Sequence, residues 1–242
     1  MEGCFLEDNR SMKNMGFYPW RACQCLLCCA VLSLCGCGST GKTNLSSVEK
    51  AQRVKILREE ADICMQRFVA SQANADEGID IEALLCFVEK RKLTAEVFPN
   101  AIDCPSCYAH YGEALRMVGV YYWTLSLKQG EQGKKAAAEQ KASLAAFSKE
   151  NREKANRNFK MALQQFNIHF STGQVIPEAY WKAFEAAYLL EQYNYALQYL
   201  KGYELNNTLN ATESEKLRKW RERTKKRQNK KLRDEVRKDL DD

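Results

Sequence analysis

Histidine is nearly missing from this chain: His110 and His169 are the only two in 242 residues. That supply argues against a His-based catalytic triad or a His-rich metal site, and neither histidine completes a zinc set with Cys104 and Cys107. Four prolines and twelve glycines are also few. Long stretches of Ala, Leu, Glu, Lys and Gln run between them, a composition that favours helix over sheet. A basic surplus is missing from most of the chain as well. Residues 214–242 hold thirteen Lys/Arg against seven Asp/Glu, an excess of six that equals the net charge of +6 of the whole protein. The remainder is balanced, so no large basic face points to nucleic acid, and none is expected as a partner. Apolar residues at 45% are enough for a packed core.

Cysteine is abundant and unevenly placed. Seven of the eleven lie in the first 37 residues, and only Cys64, Cys86, Cys104 and Cys107 lie beyond. From Met12 the sequence runs MKNMGFYPWRACQCLLCCAVLSLCGC. Lys13 and Arg21 precede an uncharged, mostly apolar run, Ala22–Leu34, of signal-peptide length and too short to span a bilayer comfortably. Glu2, Glu7 and Asp8 ahead of it suit a leader poorly, so translation is expected to start at Met12 or Met15. The run ends in Leu34-Cys35-Gly36-Cys37, which resembles a bacterial lipobox, with Cys35 where Ala, Ser or Thr is usual. The resemblance implies a signal peptide over residues 1–36, lipid attachment at Cys37 and a tether over 37–46.

Gly36 to Thr43, GCGSTGKT, also spells a phosphate-binding loop. Such a loop needs a helix opening at its Gly-Lys-Thr so that free N–H groups face the phosphates. Here the first good start comes later, at the capping box Ser46-x-x-Glu49. No apolar β-branched run ending in a magnesium-binding Asp follows residue 43. The eight letters read better as a leader–linker junction.

The rest reads as helix. Over 47–72, Val54, Leu57, Ala61, Cys64 and Phe68 form one apolar stripe. Asn74–Gly78 breaks it, Asp80 caps a shorter helix carrying Ile81, Leu84, Leu85 and Val88, and LTAEVFPNAIDC is a connection. Pro105 and Pro177 each open a helix. Phe159, Ala162 and Phe166 match Tyr193, Ala196 and Leu200 at an offset of 34 in every case. With Tyr108, Tyr111, Gly112 and Gly119 placed as they are, residues 105–209 resemble tetratricopeptide repeats, whose units are antiparallel helix pairs. Phe184 stands where that family has a small residue. The middle fits less well: Lys149 and Glu150 fall on inward positions, Thr124 to Ala162 spans 38 residues, and 134–170 reads alternatively as one long helix after the GEQG turn. Residues 47–209 are therefore expected to be all-α, stacked antiparallel pairs or an irregular bundle. Residues 210–242 form a basic tail helix that opens at a capping box, Thr212 to Glu215. Leu217, Trp220 and Thr224 are expected to lie against the domain, and the exposed remainder over 214–242 reads first as a solvated charged end and alternatively as a contact for anionic lipid.

Cys104-Pro105-Ser106-Cys107 is the one motif with redox potential, since a helix N-terminus favours thiolate. Thioredoxin-type enzymes set that pair after a strand, and Tyr108 stands where covalent haem needs His. A structural disulfide is the expectation. No catalytic constellation and no cofactor are expected. The resemblance implies a non-catalytic interaction scaffold, lipid-anchored in the inner or outer membrane of a bacterial envelope and facing the periplasm, with an envelope protein as partner. It places Glu113, Arg116, Met117, Trp181, Glu185 and Tyr188 on the groove-facing first helices. Two alternatives remain: a nucleotide-binding protein using Lys42 and Thr43, and a periplasmic thiol–disulfide protein using Cys104 and Cys107.

Overall fold

Local hydrogen bonds at Ser46 set where the first helix begins. Its backbone N–H donates to Glu49 Oε2 at 2.8 Å, while Glu49 N–H donates back to Ser46 Oγ at 3.3 Å, a reciprocal cap. The computed structural model describes residues 45–73 and 78–241. Its helices are α1 (Ser47–Ala73), α2 (Ile81–Glu96), α3 (Pro105–Lys135), α4 (Ala138–Ser171), α5 (Pro177–Leu189), α6 (Tyr193–Leu205) and α7 (Ala211–Asp241), with a 3-10 turn at Ala101–Asp103. Among the described residues there is no strand, and the chain is all-α. None of these helices is long and apolar enough to cross a membrane.

Asp80 caps α2 by accepting from Ala83 N–H at 2.9 Å. Pro105 and Pro177 occupy the first turns of α3 and α5, where a missing N–H costs no intrahelical bond. The LTAEVFPNAIDC stretch is only partly a connection, because α2 continues to Glu96 with Thr94 buried and bonded to the Lys90 carbonyl at 2.7 Å. The GEQG segment, Gly130 to Gly133, is not a turn: α3 runs through it to Lys135. Its glycines face α4, where Ser148 and Leu144 lie 3.5 Å from where a Cβ would sit. Helix-to-helix packing there outweighs glycine's intrinsic cost of about 1 kcal/mol. The tail cap also shifts. Asn210 and Glu213 exchange the reciprocal bonds, at 2.9 and 3.0 Å, so α7 opens at Ala211. Glu215, expected in that role, instead binds Arg218 at 2.7 Å.

Cross-helix contacts fix three antiparallel pairs. Cys64–Cys86, Lys90–Glu60 and Arg91–Asp62 join α1 to α2. In α3/α4 the Phe159 ring lies against Gly119, 2.6 Å from where a Cβ would be, and the Phe166 ring lies against Gly112 at 3.1 Å. In α5/α6 the clearance is provided from the second helix, with Tyr180 against Gly202 at 2.5 Å. A side chain at either of the tightest positions would push the helices apart. The second helix of each pair packs on the next helix along, α2 on α3, α4 on α5, and α6 on α7.

All six residues of the 34-residue match are buried. Phe159, Ala162 and Phe166 fill the α3/α4 seam, and Tyr193, Ala196 and Leu200 the α5/α6 seam. Helices α5 and α7 also begin 34 residues apart. Helices α3 and α4 are longer, at 31 and 34 residues against 13 each for α5 and α6, which is where the 38-residue spacing arises. The long-helix alternative is thus the observed form of α4, and Lys149 and Glu150 lie exposed on it. One apolar cluster joins α1, α2 and α3 around Phe68, Leu84 and Val118. A larger one runs from α3 to α7 around Phe159, Phe166, Phe184 and Leu200.

Candidate functional site

The first helices of two successive pairs meet through one buried guanidinium. Arg116 on α3 is 7% exposed. Its Nε and Nη2 donate to Glu113 Oε2 and Oε1, one turn earlier, at 2.7 and 2.9 Å. Its Nη1 reaches Glu185 Oε2 on α5 at 3.1 Å. Glu185 Oε1 in turn accepts from Trp181 Nε1 at 2.8 Å, and Lys182 lies 3.9 Å from Oε2. Burial by itself lowers the Arg116 pKa, but its bonds to Glu113 and the charges of Glu113 and Glu185 more than offset this and hold it above the ordinary value. Every arm of the fork is thus satisfied. Removing Glu113 or Glu185 would leave the guanidinium paired with the other carboxylate but with a buried N–H arm unmatched.

Further along α5 the aromatic residues turn toward α7. Trp181 packs on Phe184 and on Tyr203 of α6, with centroids 5.2 and 5.4 Å away, and Lys216 of α7 lies 5.1 Å over its ring. Tyr188 packs on Phe184, on Tyr193 and edge-on against Trp220 of α7 at 5.4 Å, and Arg227 lies 5.5 Å over it. Trp220 also meets Phe184 edge-on at 5.5 Å. Phe184 therefore finds room where a small residue was anticipated, because α7 presents the edge of an indole to it. Leu217 and Thr224 of α7 are buried, and Arg221 pairs with Glu204 at 2.7 Å.

Of the six anticipated groove residues, Glu113, Arg116, Trp181 and Glu185 form one connected network. Tyr188 lies nearly two turns beyond Trp181, under α7. Met117 belongs elsewhere, packed on the α1–α2–α3 cluster. Cys104 and Cys107 are joined across the first turn of α3, with Cα atoms 5.4 Å apart. Cys104 is half-buried, Cys107 is buried, and Arg58 Nη2 lies 3.9 Å from Cys107 Sγ. The Cys64–Cys86 bond between α1 and α2 was not anticipated, although Cys64 lay on the buried stripe of α1 and these two were the cysteines left once Cys104 and Cys107 were paired. Cys37 and the Gly36–Thr43 loop, with Lys42 and Thr43, lie outside the described residues, whose first helical residue is Ser47. With no strand among them, the described residues supply no sheet on which a phosphate loop could be mounted.

His169 is wholly buried at the end of α4, its Nδ1 3.0 Å from the Pro105 carbonyl at the start of α3. Burial lowers its pKa from the ordinary 6.5, partly opposed by that hydrogen bond. Its surroundings are those of a neutral, packed imidazole. No family model, curated protein or solved structure matches the chain.

Proposed function

We propose that the protein is an exported, lipid-anchored and non-catalytic scaffold of the bacterial envelope, built from tetratricopeptide-like helix pairs and anchored through Cys37. The observation that carries this reading is the shared face of α3 and α5. There Arg116 ties Glu113 to Glu185 and Trp181, and a helix, α7, already lies across the adjoining aromatic residues. A rigid, polar-rimmed aromatic face of this kind suits recognition of a helical or extended segment. An envelope protein is the partner this reading supplies, with Glu113 and Glu185 at the rim and Trp181 as the anchor.

The disulfides support the compartment. All four cysteines of the described residues pair, as Cys64–Cys86 and Cys104–Cys107, and such bonds persist outside the cytoplasm. In this reading the second bond is a clasp on the first turn of α3. The test is crosslinking capture of envelope partners by the wild type and by Trp181→Ala. A central interface anchor is worth about 2 kcal/mol or more, roughly thirtyfold in affinity. Capture should fall by that factor while the variant stays helical and unfolds cooperatively. A folded variant with undiminished capture would move the binding surface away from α5.

A further inference from the structure

One face of α7 is exposed along its length, with Arg223 also lying 4.9 Å over the ring of Trp220 on the same helix. Lys219, Arg223, Lys226, Lys230, Arg233 and Arg237 recur at spacings of 4, 3, 4, 3 and 4, which lines them up along one side of an α-helix. All six are exposed. The stripe is about 27 Å long and stands roughly 130° around the helix from the buried line of Leu217, Trp220 and Thr224. Of the carboxylates near its start, Glu215 binds Arg218 and also the first stripe residue, Lys219, while Glu222 binds Arg218. Among the described side chains, no carboxylate lies within ion-pair distance of Arg223, Lys226, Lys230 or Arg233. A helix that carried these charges only for solubility would intersperse both signs around itself. Here Glu235 lies off the stripe and Asp234 at its edge.

We propose that this stripe is a docking surface for an anionic phospholipid bilayer, a second membrane contact at the opposite end of the helix stack from the Cys37 tether. It rests on the anchored-scaffold reading for the presence of the bilayer, and the charge pattern specifies the lipid. A protein helix as occupant would need an apolar seam of anchors, and residues 225–238 supply only Leu232 and Val236. A charged plane needs no such seam, because a linear row of cations meets it side-on. The tether keeps the stack close to the surface, so the second contact forms at high effective concentration. With both ends engaged, the stack lies along the bilayer instead of standing on it.

Competition between two vesicle populations separates this contact from the anchor. The purified, acylated chain is offered neutral phosphatidylcholine vesicles and vesicles that also contain phosphatidylglycerol, at about 0.1 M salt, where the screening length is near 10 Å. The total bound reports the anchor, and the ratio between populations reports the stripe. Each cation near an anionic surface contributes about fivefold in partition, so the wild type should favour anionic vesicles by about thirtyfold or more. The quadruple variant Lys226→Gln, Lys230→Gln, Arg233→Gln and Arg237→Gln should bind in equal total amount, with unchanged circular dichroism and a preference at least about tenfold weaker, since Lys219 and Arg223 remain. Equal distribution of the wild type, or a preference undiminished in the variant, overturns the proposal and leaves the anchor standing. No binding to either population overturns both. A stripe that ignores vesicles but captures duplex DNA, dependent on the same four residues, overturns it in favour of another polyanion.

Discussion

Helices α5 and α7 begin 34 residues apart, and each docks on the helix that precedes it, yet they are held by different forces. Helix α5 buries Ala179, Ala183, Phe184, Ala186 and Ala187 within 13 residues. Helix α7, 31 residues long, buries Leu217 and Thr224 among its described side chains, and Trp220 only in part. Its remaining hold is mostly cationic: Lys216 over Trp181, Arg227 over Tyr188, Arg221 on Glu204, and Lys231 donating to the Glu191 carbonyl, with Gln228 Nε2 donating to Asn194 Oδ1 beside them. Exposed contacts of these kinds are worth about 0.5–1 kcal/mol each and weaken with salt. The same docking position is thus filled by alanines and a phenylalanine in α5, and by lysines and arginines around a short apolar patch in α7.

The largest expected effect separates the two layers directly. Phe184→Ala removes a fully buried ring and should destabilise the whole domain by about 3–5 kcal/mol, read as a lower midpoint in urea. Trp220→Ala should leave that midpoint nearly unchanged while the amides of α7 lose hydrogen-exchange protection and those of α5 keep theirs. Raising salt to about 0.5 M should act like a mild form of Trp220→Ala, because it screens the cations that hold α7. If α5 and α7 lose protection together in either experiment, they form a single cooperative unit and the contrast between them fails.

Acid should act on the α3/α4 layer and spare α7. His169 has a folded-state pKa below its ordinary 6.5, chiefly because it is buried. The unfolded chain therefore takes up the proton first as pH falls. The contribution of this residue is fully present above about pH 6.5 and is lost as pH drops through the lowered folded value. The melting temperature should fall between pH 7.5 and pH 5, and His169→Gln should flatten that dependence; an unchanged slope would assign the effect to other groups. The smallest effects concern the caps. Asp80→Ala and Asn210→Ala each remove a side-chain acceptor, worth about 1 kcal/mol. The first should lower the global midpoint, and the second should register only as fraying of α7.

What could be read from sequence follows the same division. The apolar stripe of α1 and the caps at Ser46 and Asp80 were legible because each depends on residues within one or two turns. So was the 34-residue match between α4 and α6, because both sets of residues fill the seam of a helix pair. The GEQG segment misled because glycine's local preference for turns is overridden by α4 lying alongside, which no short window records. The shift of the tail cap from Thr212 to Asn210 is a contest between two competent acceptors two residues apart, decided by where α7 docks. Glu113, Arg116, Trp181 and Glu185 were placed on one face by the resemblance to tetratricopeptide repeats, and they meet in one network across α3 and α5. Met117 went astray because neighbouring helical positions face different seams, and which seam is filled by α1 and α2 is a tertiary fact. The docking of α7 was legible in Leu217, Trp220 and Thr224, but that it covers Tyr188 was not, because that depends on how α5 and α7 meet.

The mass of the native N-terminus tests the functional reading most directly. Purified from membranes, the protein should begin at an acylated Cys37, with residues 1–36 removed, and Cys37→Ser should accumulate as an unprocessed precursor. A native chain that retains residues 15–36 without lipid would contradict the anchored scaffold and return Lys42 and Thr43 to consideration as a phosphate site.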